Sequence, residues 1–300
     1  MLALIAPGQG SQAPGMFLPW IADPASAELL GQWSQAIDLD LLHLGTTAEA
    51  DEICDTANAQ PLIVAAGLLS AGALELEGKF SYVAGHSVGE ITAAALAGVV
   101  SPVDALRLVR VRGLEMAKAA AASPSGMSAV LGGDREVVLQ AILDAGLIAA
   151  NDNGGGQIVA AGDLDALASL APEGARVRAL QVAGAFHTHF MSAAVEAFGN
   201  FAATISISDP IVGVLSNRDG QVMDSGSEII ARIVSQVANP VRWDLCMSTM
   251  QSSGVTKALE VAPAGTLVGL LKRAVASIEG FAFKSPDDLA AAHQFVSSKG

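Results

Sequence analysis

Tyr82-Val83-Ala84-Gly85-His86-Ser87-Val88-Gly89-Glu90 joins a short apolar run to an alanine-rich stretch that continues to Gly98. Read as strand, turn and helix, the segment sets Ser87 at the apex of a G-x-S-x-G turn. The two glycines let the backbone reverse sharply, so the serine hydroxyl projects at the start of the following helix. Free N–H groups and the positive end of the helix dipole at that point can hold a developing oxyanion. The pentapeptide alone is a weak signal. Its strand–turn–helix setting is what makes Ser87 a candidate nucleophile.

On either side of this segment, short apolar runs alternate with longer helical stretches, the pattern of an α/β protein with a mostly parallel sheet. Upstream, Leu2–Ala6 reads as a strand ending in Pro7-Gly8, and Ala59–Leu76 as a long helix. Downstream, one helix runs from Val88 to about Gly98 and stops at Ser101-Pro102, and another covers Val103–Ala122. After the linker Ser123-Pro124-Ser125-Gly126 comes a βαββαβ order. It comprises strand Met127–Leu131, helix Arg135–Asp144, strands Leu147–Ala150 and Gln157–Ala161, helix Leu164–Leu170 and strand Arg176–Val182. That order predicts a ferredoxin-like subdomain over residues 126–184, inserted into a larger parallel-sheet α/β domain made of residues 1–125 and 185–300. Beyond it the alternation resumes: strand Ile211–Ser216, helices Glu228–Val237 and Val241–Met250, strand Ala258–Val261 and helix Thr266–Ala276.

Composition narrows the classes. Of 300 residues 51% are hydrophobic and 15% charged, which supplies a core and excludes a disordered chain. The notable apolar stretch Ile91–Val100 is interrupted by Thr92 and is half the length of a membrane span, and MLALIAPGQG lacks the basic flank of a signal peptide. A soluble, cytoplasmic protein is expected. The net charge of −14 argues against a general nucleic-acid binder, which needs a basic face. Cys54 and Cys246 have no metal or redox spacing and are expected to be buried thiols.

Three further features are candidates. Pro7-Gly8-Gln9-Gly10-Ser11-Gln12-Ala13 formally matches a dinucleotide loop, but Pro14, Gly15 and Pro19 disfavour the helix such a site needs. It reads instead as a tight loop offering an N–H group to an anion, or as a simple turn. His187 and His189, two residues apart, would diverge on a helix and share no metal, yet either could be the base for Ser87; His43 and His293 read as core or solvated. Arg110 and Arg112 point about 200° apart on their helix. With Arg107 they pair with surface carboxylates, or one of them faces the elbow as a fixed cation for an anionic substrate.

Taken together, the chain resembles the malonyl-CoA:acyl-carrier-protein transacylases of type II fatty-acid synthesis and the acyltransferase domains of polyketide synthases. The resemblance rests on Pro7 to Gln12, Gly85 to Glu90, Arg112-Gly113, Gly184 to Met191, Leu215-Ser216-Asn217, and Gln236 ahead of Asn239 to Trp243. It implies an α/β-hydrolase-like core carrying the inserted subdomain. Ser87 would be the acyl-accepting nucleophile and His187 its base, with the backbone carbonyl of Gln236 orienting the imidazole. Backbone N–H groups of Gln9 and Val88 would form the oxyanion hole and Arg112 would bind the malonyl carboxylate. Phe186, Met116 and Met127 would complete the substrate pocket. Malonyl-CoA and a phosphopantetheinylated acyl carrier protein are the partners implied, with no metal, cofactor, nucleic acid or membrane. One departure is Glu260-Val261-Ala262-Pro263-Ala264-Gly265, where the family more often has an E-V-G-P-G form, so the shape of that loop is open.

Two other readings stay in view. A serine hydrolase or thioesterase could use Ser87, one of Asp219, Asp224 and Asp244, and His293 in that chain order. A binding or scaffold module would form no serine ester at all.

Overall fold

The computed structural model describes residues 1–76 and 78–298. Two sheets organise it. The larger is built from β1 (Leu2–Ala6), β2 (Tyr82–Gly85) and, after the small sheet described below, from strands near residues 213–223 and 257–282. The smaller contains β3 (Gly126–Gly132), β4 (Ile148–Asp152), β5 (Gln157–Gly162) and β6 (Ala175–Ala179). Then follow β7 (Gly213–Leu215), β8 (Val222–Met223), β9 (Val241–Arg242), β10 (Lys257–Glu260) and β11 (Glu279–Ala282).

The six-stranded sheet has the order β11-β10-β1-β2-β7-β8 and is parallel throughout except for the β7–β8 edge pair. Every residue of β1 is buried, as expected for a strand in the middle of a parallel sheet covered on both faces. Helix Thr56–Leu74 is long and apolar enough to cross a membrane, but most of it is buried inside this fold. It packs on helix Pro102–Ala122 at short range: a side chain at Gly113 would stand 3.0 Å from the Thr56 carbonyl oxygen. Its ends have local causes, with the Asp55 side chain capping the first turn and Glu75 taking a left-handed conformation after the last. Helix Pro102–Ala122 starts where Ser101 caps it and proline occupies its first turn.

The five-stranded sheet has the order β6-β3-β5-β4-β9. The first four strands are antiparallel and come from residues 126–179, with helices Arg135–Asp144 and Leu164–Ser169 between them. The fifth, β9, comes from far along the chain and pairs in parallel with β4, Asn151 opposite Val241 and Asp152 opposite Arg242. Val130, Val138, Ile142, Leu147, Ile158 and Leu167 form a separate small core beneath this sheet.

Most expected elements are present, with informative differences at their edges. The strand expected over Arg176–Val182 leaves its ladder after Ala179, and Leu180 and Val182 turn into a cavity wall. The helix expected from Val241 starts only at Trp243, because Val241 and Arg242 are taken up as a strand. Helices Pro24–Ile37, Ser192–Ala202 and Leu289–Ser297 add to the expected elements. Cys246 is buried as expected, but Cys54 is exposed, because it ends the short surface helix Ala50–Cys54 with only Ile53 turned inward.

Candidate active site

Ser87 lies between the C-terminal end of β2 and helix Gly89–Leu96, with a φ of 52°. Its neighbours explain why this strained residue holds. A side chain at Gly85 would sit 1.9 Å from the Gly89 carbonyl carbon, and one at Gly89 would sit 2.3 Å from the Ala6 carbonyl oxygen. Only glycine fits where the elbow folds against itself and against β1. The Ser87 amide donates to Asn217 Oδ1 at 2.8 Å, which fixes the turn from the side of β7.

His187 meets Ser87 across one hundred residues of sequence. Its Nδ1 donates to the backbone carbonyl of Gln236 at 2.8 Å. A carbonyl can only accept, so the proton is on Nδ1 and Nε2 is left as an acceptor. Ser87 Oγ donates to that Nε2 at 2.7 Å. His187 too has a left-handed backbone, with φ 62°. Each such residue costs on the order of 1–3 kcal/mol, and the backbone carries that strain at both members of the Ser87–His187 pair. Burial, and next the charge of Arg112, hold the His187 pKa down at about 3, so the imidazole is neutral at pH 7.

Arg112 is 1% exposed. It donates to Gln60 Oε1 at 2.7 Å, to Gln236 Oε1 at 2.8 Å and, at 3.4 Å, to Ser87 Oγ. Its Nε is buried without an acceptor. Burial lowers its pKa to about 10, which still leaves a cation. The other two arginines on this helix behave differently: Arg107 pairs with Asp104 at 3.2 Å, and Arg110 donates to the Ala57 carbonyl at 2.9 Å. A buried guanidinium within reach of Ser87 Oγ, with its Nε–H unpartnered, is a fixed cation with hydrogen-bonding capacity left for an anion.

Ser87 and His187 open onto a cavity of about 250 Å³ lined also by Gln9, Gln60, Val88, Met116, Met127 and Phe186, whereas Arg112 stands behind Ser87 and Gln60 and is not itself part of the lining. The backbone N–H groups of Gln9 and Val88 make no backbone hydrogen bond among the described residues, and both residues line the cavity. The Pro7–Gln12 stretch is a turn and not a helix start: Ser11 Oγ donates to the Gly8 carbonyl at 2.8 Å and Gly10 N to Gln12 Oε1 at 2.8 Å. The small sheet closes the other side through Met127, Ala129, Asn151, Gln157 and Val159. Thr266 and Leu267 add to the wall, and the Glu260 carboxylate holds their loop by accepting from Gly265, Leu267 and Val268 N–H groups at 2.9–3.0 Å.

Several site residues were not singled out by the sequence. His86 donates from Nε2 to Asn153 Oδ1 at 2.8 Å, joining the elbow to the small sheet. Gln60 holds Arg112, and Glu90 lies buried beneath Ser87 in contact with Asn217 and Gln236. The histidine and the three acids of the alternative hydrolase reading do not line the cavity: Asp219 pairs with Arg232 and Asp244 with Arg242, Asp224 follows β8, and His293 is on helix Leu289–Ser297. His189 stacks beside Phe190, away from Ser87 Oγ, and His43 pairs with Glu52 on the surface.

Comparison with known proteins gives the same direction. Residues 4–290 match the acyl transferase domain family. The chain is 53% identical over 296 residues to the malonyl CoA-acyl carrier protein transacylase of Mycobacterium tuberculosis H37Rv, covering 96% of this chain and 98% of that protein. With the protein of the same name from Escherichia coli K12 the identity is 32% over 302 residues, covering 97% and 98%. The crystal structure of MCAT from Mycobacterium tuberculosis superposes with a TM-score of 0.94 over 97% of this chain and 99% of that one. A type II PKS acyl-carrier protein in complex with its malonyl-transacylase contains a chain that matches at 29% identity and a TM-score of 0.89, covering 98% and 99%. An elbow serine, a neutral histidine oriented by a carbonyl and a full-length likeness to these enzymes belong together: the chain is a member of the acyl transferase family, among the malonyl-CoA:acyl-carrier-protein transacylases.

Proposed function

We propose that the chain moves the malonyl group from malonyl-CoA to the phosphopantetheine thiol of an acyl carrier protein, by a ping-pong route through a malonyl ester on Ser87. The observation that carries this reading is the convergence of His187 Nε2 and the Arg112 guanidinium on one oxygen, Ser87 Oγ, at 2.7 and 3.4 Å.

In the first half-reaction Ser87 Oγ attacks the thioester carbonyl and His187 Nε2 takes its proton. The Gln9 and Val88 amides hold the tetrahedral oxyanion. The intermediate collapses, the C–S bond breaks, and His187 returns the proton to the coenzyme A thiolate. The second half-reaction runs the same steps in reverse order with the carrier thiol as nucleophile. The Gln236 carbonyl does what an acid does in a triad, holding one tautomer and one ring orientation. A base held near pKa 3 is weak, and Arg112 is part of the cause. A malonyl carboxylate on Arg112 offsets that charge, so the proper substrate strengthens its own base. The scheme uses side chains and backbone alone and calls on no metal or redox cofactor. Phe186, Met116 and Met127 shape the space beside the acyl group.

The same reading makes residues 126–184 a ferredoxin-like subdomain inserted in an α/β-hydrolase-like catalytic domain of residues 1–125 and 185–300, and locates the protein in the cytoplasm. The strand order β6-β3-β5-β4, all antiparallel, supports the first of these assignments.

Labelling with radioactive malonyl-CoA, without acceptor, tests the proposal. One base-labile malonyl group per chain is expected, absent from Ser87→Ala and discharged onto phosphopantetheinylated carrier protein. Steady release of free malonate with no transfer would favour a hydrolase, and no label at all a binding module.

A further inference from the structure

Glu90 is a carboxylate almost out of contact with solvent, 4% exposed, on the first turn of the elbow helix. Its Oε1 accepts from the Asn217 amide at 2.6 Å, and its Oε2 accepts from Gln236 Nε2. Both partners reach the reacting pair. Asn217 Oδ1 receives the Ser87 amide, and the Gln236 carbonyl receives His187 Nδ1. The carboxamide of Gln236 also has Arg112 on its other end, at Oε1. A single neutral amide therefore stands between a buried cation and a buried anion, its dipole aligned with both. Among the described residues Arg112 forms no salt bridge of its own, whereas Arg232, the other cation near Glu90, is already paired with Asp219 and Glu228.

We propose that Glu90 is the internal counter-charge of Arg112, joined to it through the Gln236 carboxamide, and that it takes up a proton from solvent when a substrate carboxylate occupies Arg112. The inference rests on the reading of Arg112 as the malonyl-binding residue. Glu90 touches neither substrate nor reacting atoms; it is a positioning residue. Without substrate, and above about pH 7, the buried site holds one cation and one anion. Malonyl brings a second anion into the same water-poor space, and the second negative charge is the costly one to keep. An acetyl group brings none.

The other groups around Glu90 do not take its place in this exchange. His187 is neutral, with its pKa down at about 3. Burial and Glu90 itself push the Cys246 thiol, on helix Trp243–Ser252, well up, so it is neutral too. His86, on the turn before Ser87, is lowered by burial. Glu90 alone stands near neutrality: burial raises it to about 7, against the opposing pull of the Asn217 amide and Arg112.

The test is the pH dependence of kcat/KM for the acylation half-reaction, with malonyl-CoA and acetyl-CoA as donors. With malonyl-CoA, kcat/KM is expected to fall on the alkaline side of an inflection near 7, approaching about tenfold per pH unit. Acetyl-CoA should lack that limb, and Glu90→Gln should flatten it for malonyl-CoA. Equal limbs for the two donors overturn the inference, as does a malonyl limb that survives in Glu90→Gln. If Glu90→Gln does not fold, the two donors compared on the unmodified enzyme still decide. Arg112→Ala separates the two readings. If it lowers malonyl and acetyl transfer by the same factor, the assignment of Arg112 fails. If only malonyl transfer suffers and the limb is absent from the unmodified enzyme, Glu90 alone is misread.

Discussion

The two sheets face one cavity and contribute to it in different ways. The parallel sheet supplies backbone: Ser87 leaves the end of β2, Gln9 leaves the end of β1, and Asn217 follows β7, each on a loop at the same edge. The antiparallel sheet supplies side chains from one face, with Met127 and Ala129 on β3 and Gln157 and Val159 on the adjacent β5. Parallel strands all end on one side, so their loops converge and can bring reacting groups together. An antiparallel sheet presents a surface, and a surface shapes and covers. The difference predicts that damage to the first layer falls on the chemical step, and damage to the second on which acyl group fits and how well.

The largest break in that comparison comes from the histidines. His187→Ala should reduce transfer by about 10⁴-fold or more, since the members of such a pair act as a unit. His293→Ala should leave it unchanged; steady-state rates for both variants check this, and the reverse pattern would restore the hydrolase reading. Next is Arg112→Ala. Losing one partner of a desolvated bidentate pair costs on the order of 2–5 kcal/mol, hence at least about tenfold in kcat/KM for malonyl-CoA. Acetyl transfer should be spared, and Arg112→Lys should recover only part of the loss, since an ammonium cannot reproduce the fork.

The second layer predicts smaller effects of another kind. Met127→Ala removes a side chain from β3 and should raise KM for malonyl-CoA a few-fold, on the order of 1 kcal/mol, with kcat held. At the seam, Phe186→Ser should narrow the preference for malonyl over methylmalonyl groups, because the ring no longer crowds an α-methyl; competition between the two donors reads this out. A change in kcat with Met127→Ala would blur the division between the sheets.

The smallest effect is on stability. His187 binds a proton less readily folded (about 3) than at its ordinary 6.5, so through it stability rises with pH across that interval. Glu90 binds one more readily folded (about 7) than at its ordinary 4.5, so through it stability falls as pH rises from 4.5 to 7. Between 4.5 and 6.5 the two slopes oppose each other. Glu90→Gln should leave the His187 slope uncovered, making stability steeper in pH there by about 1.4 kcal/mol per unit. Denaturant unfolding at several pH values checks this, and an unchanged slope would return Glu90 to an ordinary carboxylate.

What could be read from the residues was whatever has a local cause. The elbow was legible because its two glycines answer a steric demand made within five residues, and the β3-to-β6 order because its periodicity changes over short windows. Asp23 followed by Pro24 was also a local signal, a cap and a first-turn proline, and helix Pro24–Ile37 begins there. The network under Ser87 had no such signal. Arg112 meets Gln236 across 124 positions and Glu90 meets Asn217 across 127. The chemistry of Glu90 is decided by burial that only the folded chain creates. Ser87 and Asn217 were in view as parts of motifs, but not the hydrogen bond that joins them. The left-handed backbone of His187 is likewise imposed by tertiary structure, since nothing about a histidine asks for it.

The two-residue strand β9 has a mechanical side. Val241 and Arg242 follow Gln236 by a few residues and are laced to β4 of the small sheet, while the Arg242 amide donates to the Asn217 carbonyl at 2.7 Å. One short rung of chain thus fastens the small sheet to the very segment whose carbonyl holds the imidazole. Swinging that layer outward would tug on Gln236 and detune His187 before the cleft had widened. An acyl donor that reaches Ser87 through the existing cavity leaves that rung in place, whereas one that needs the two sheets parted would strain it.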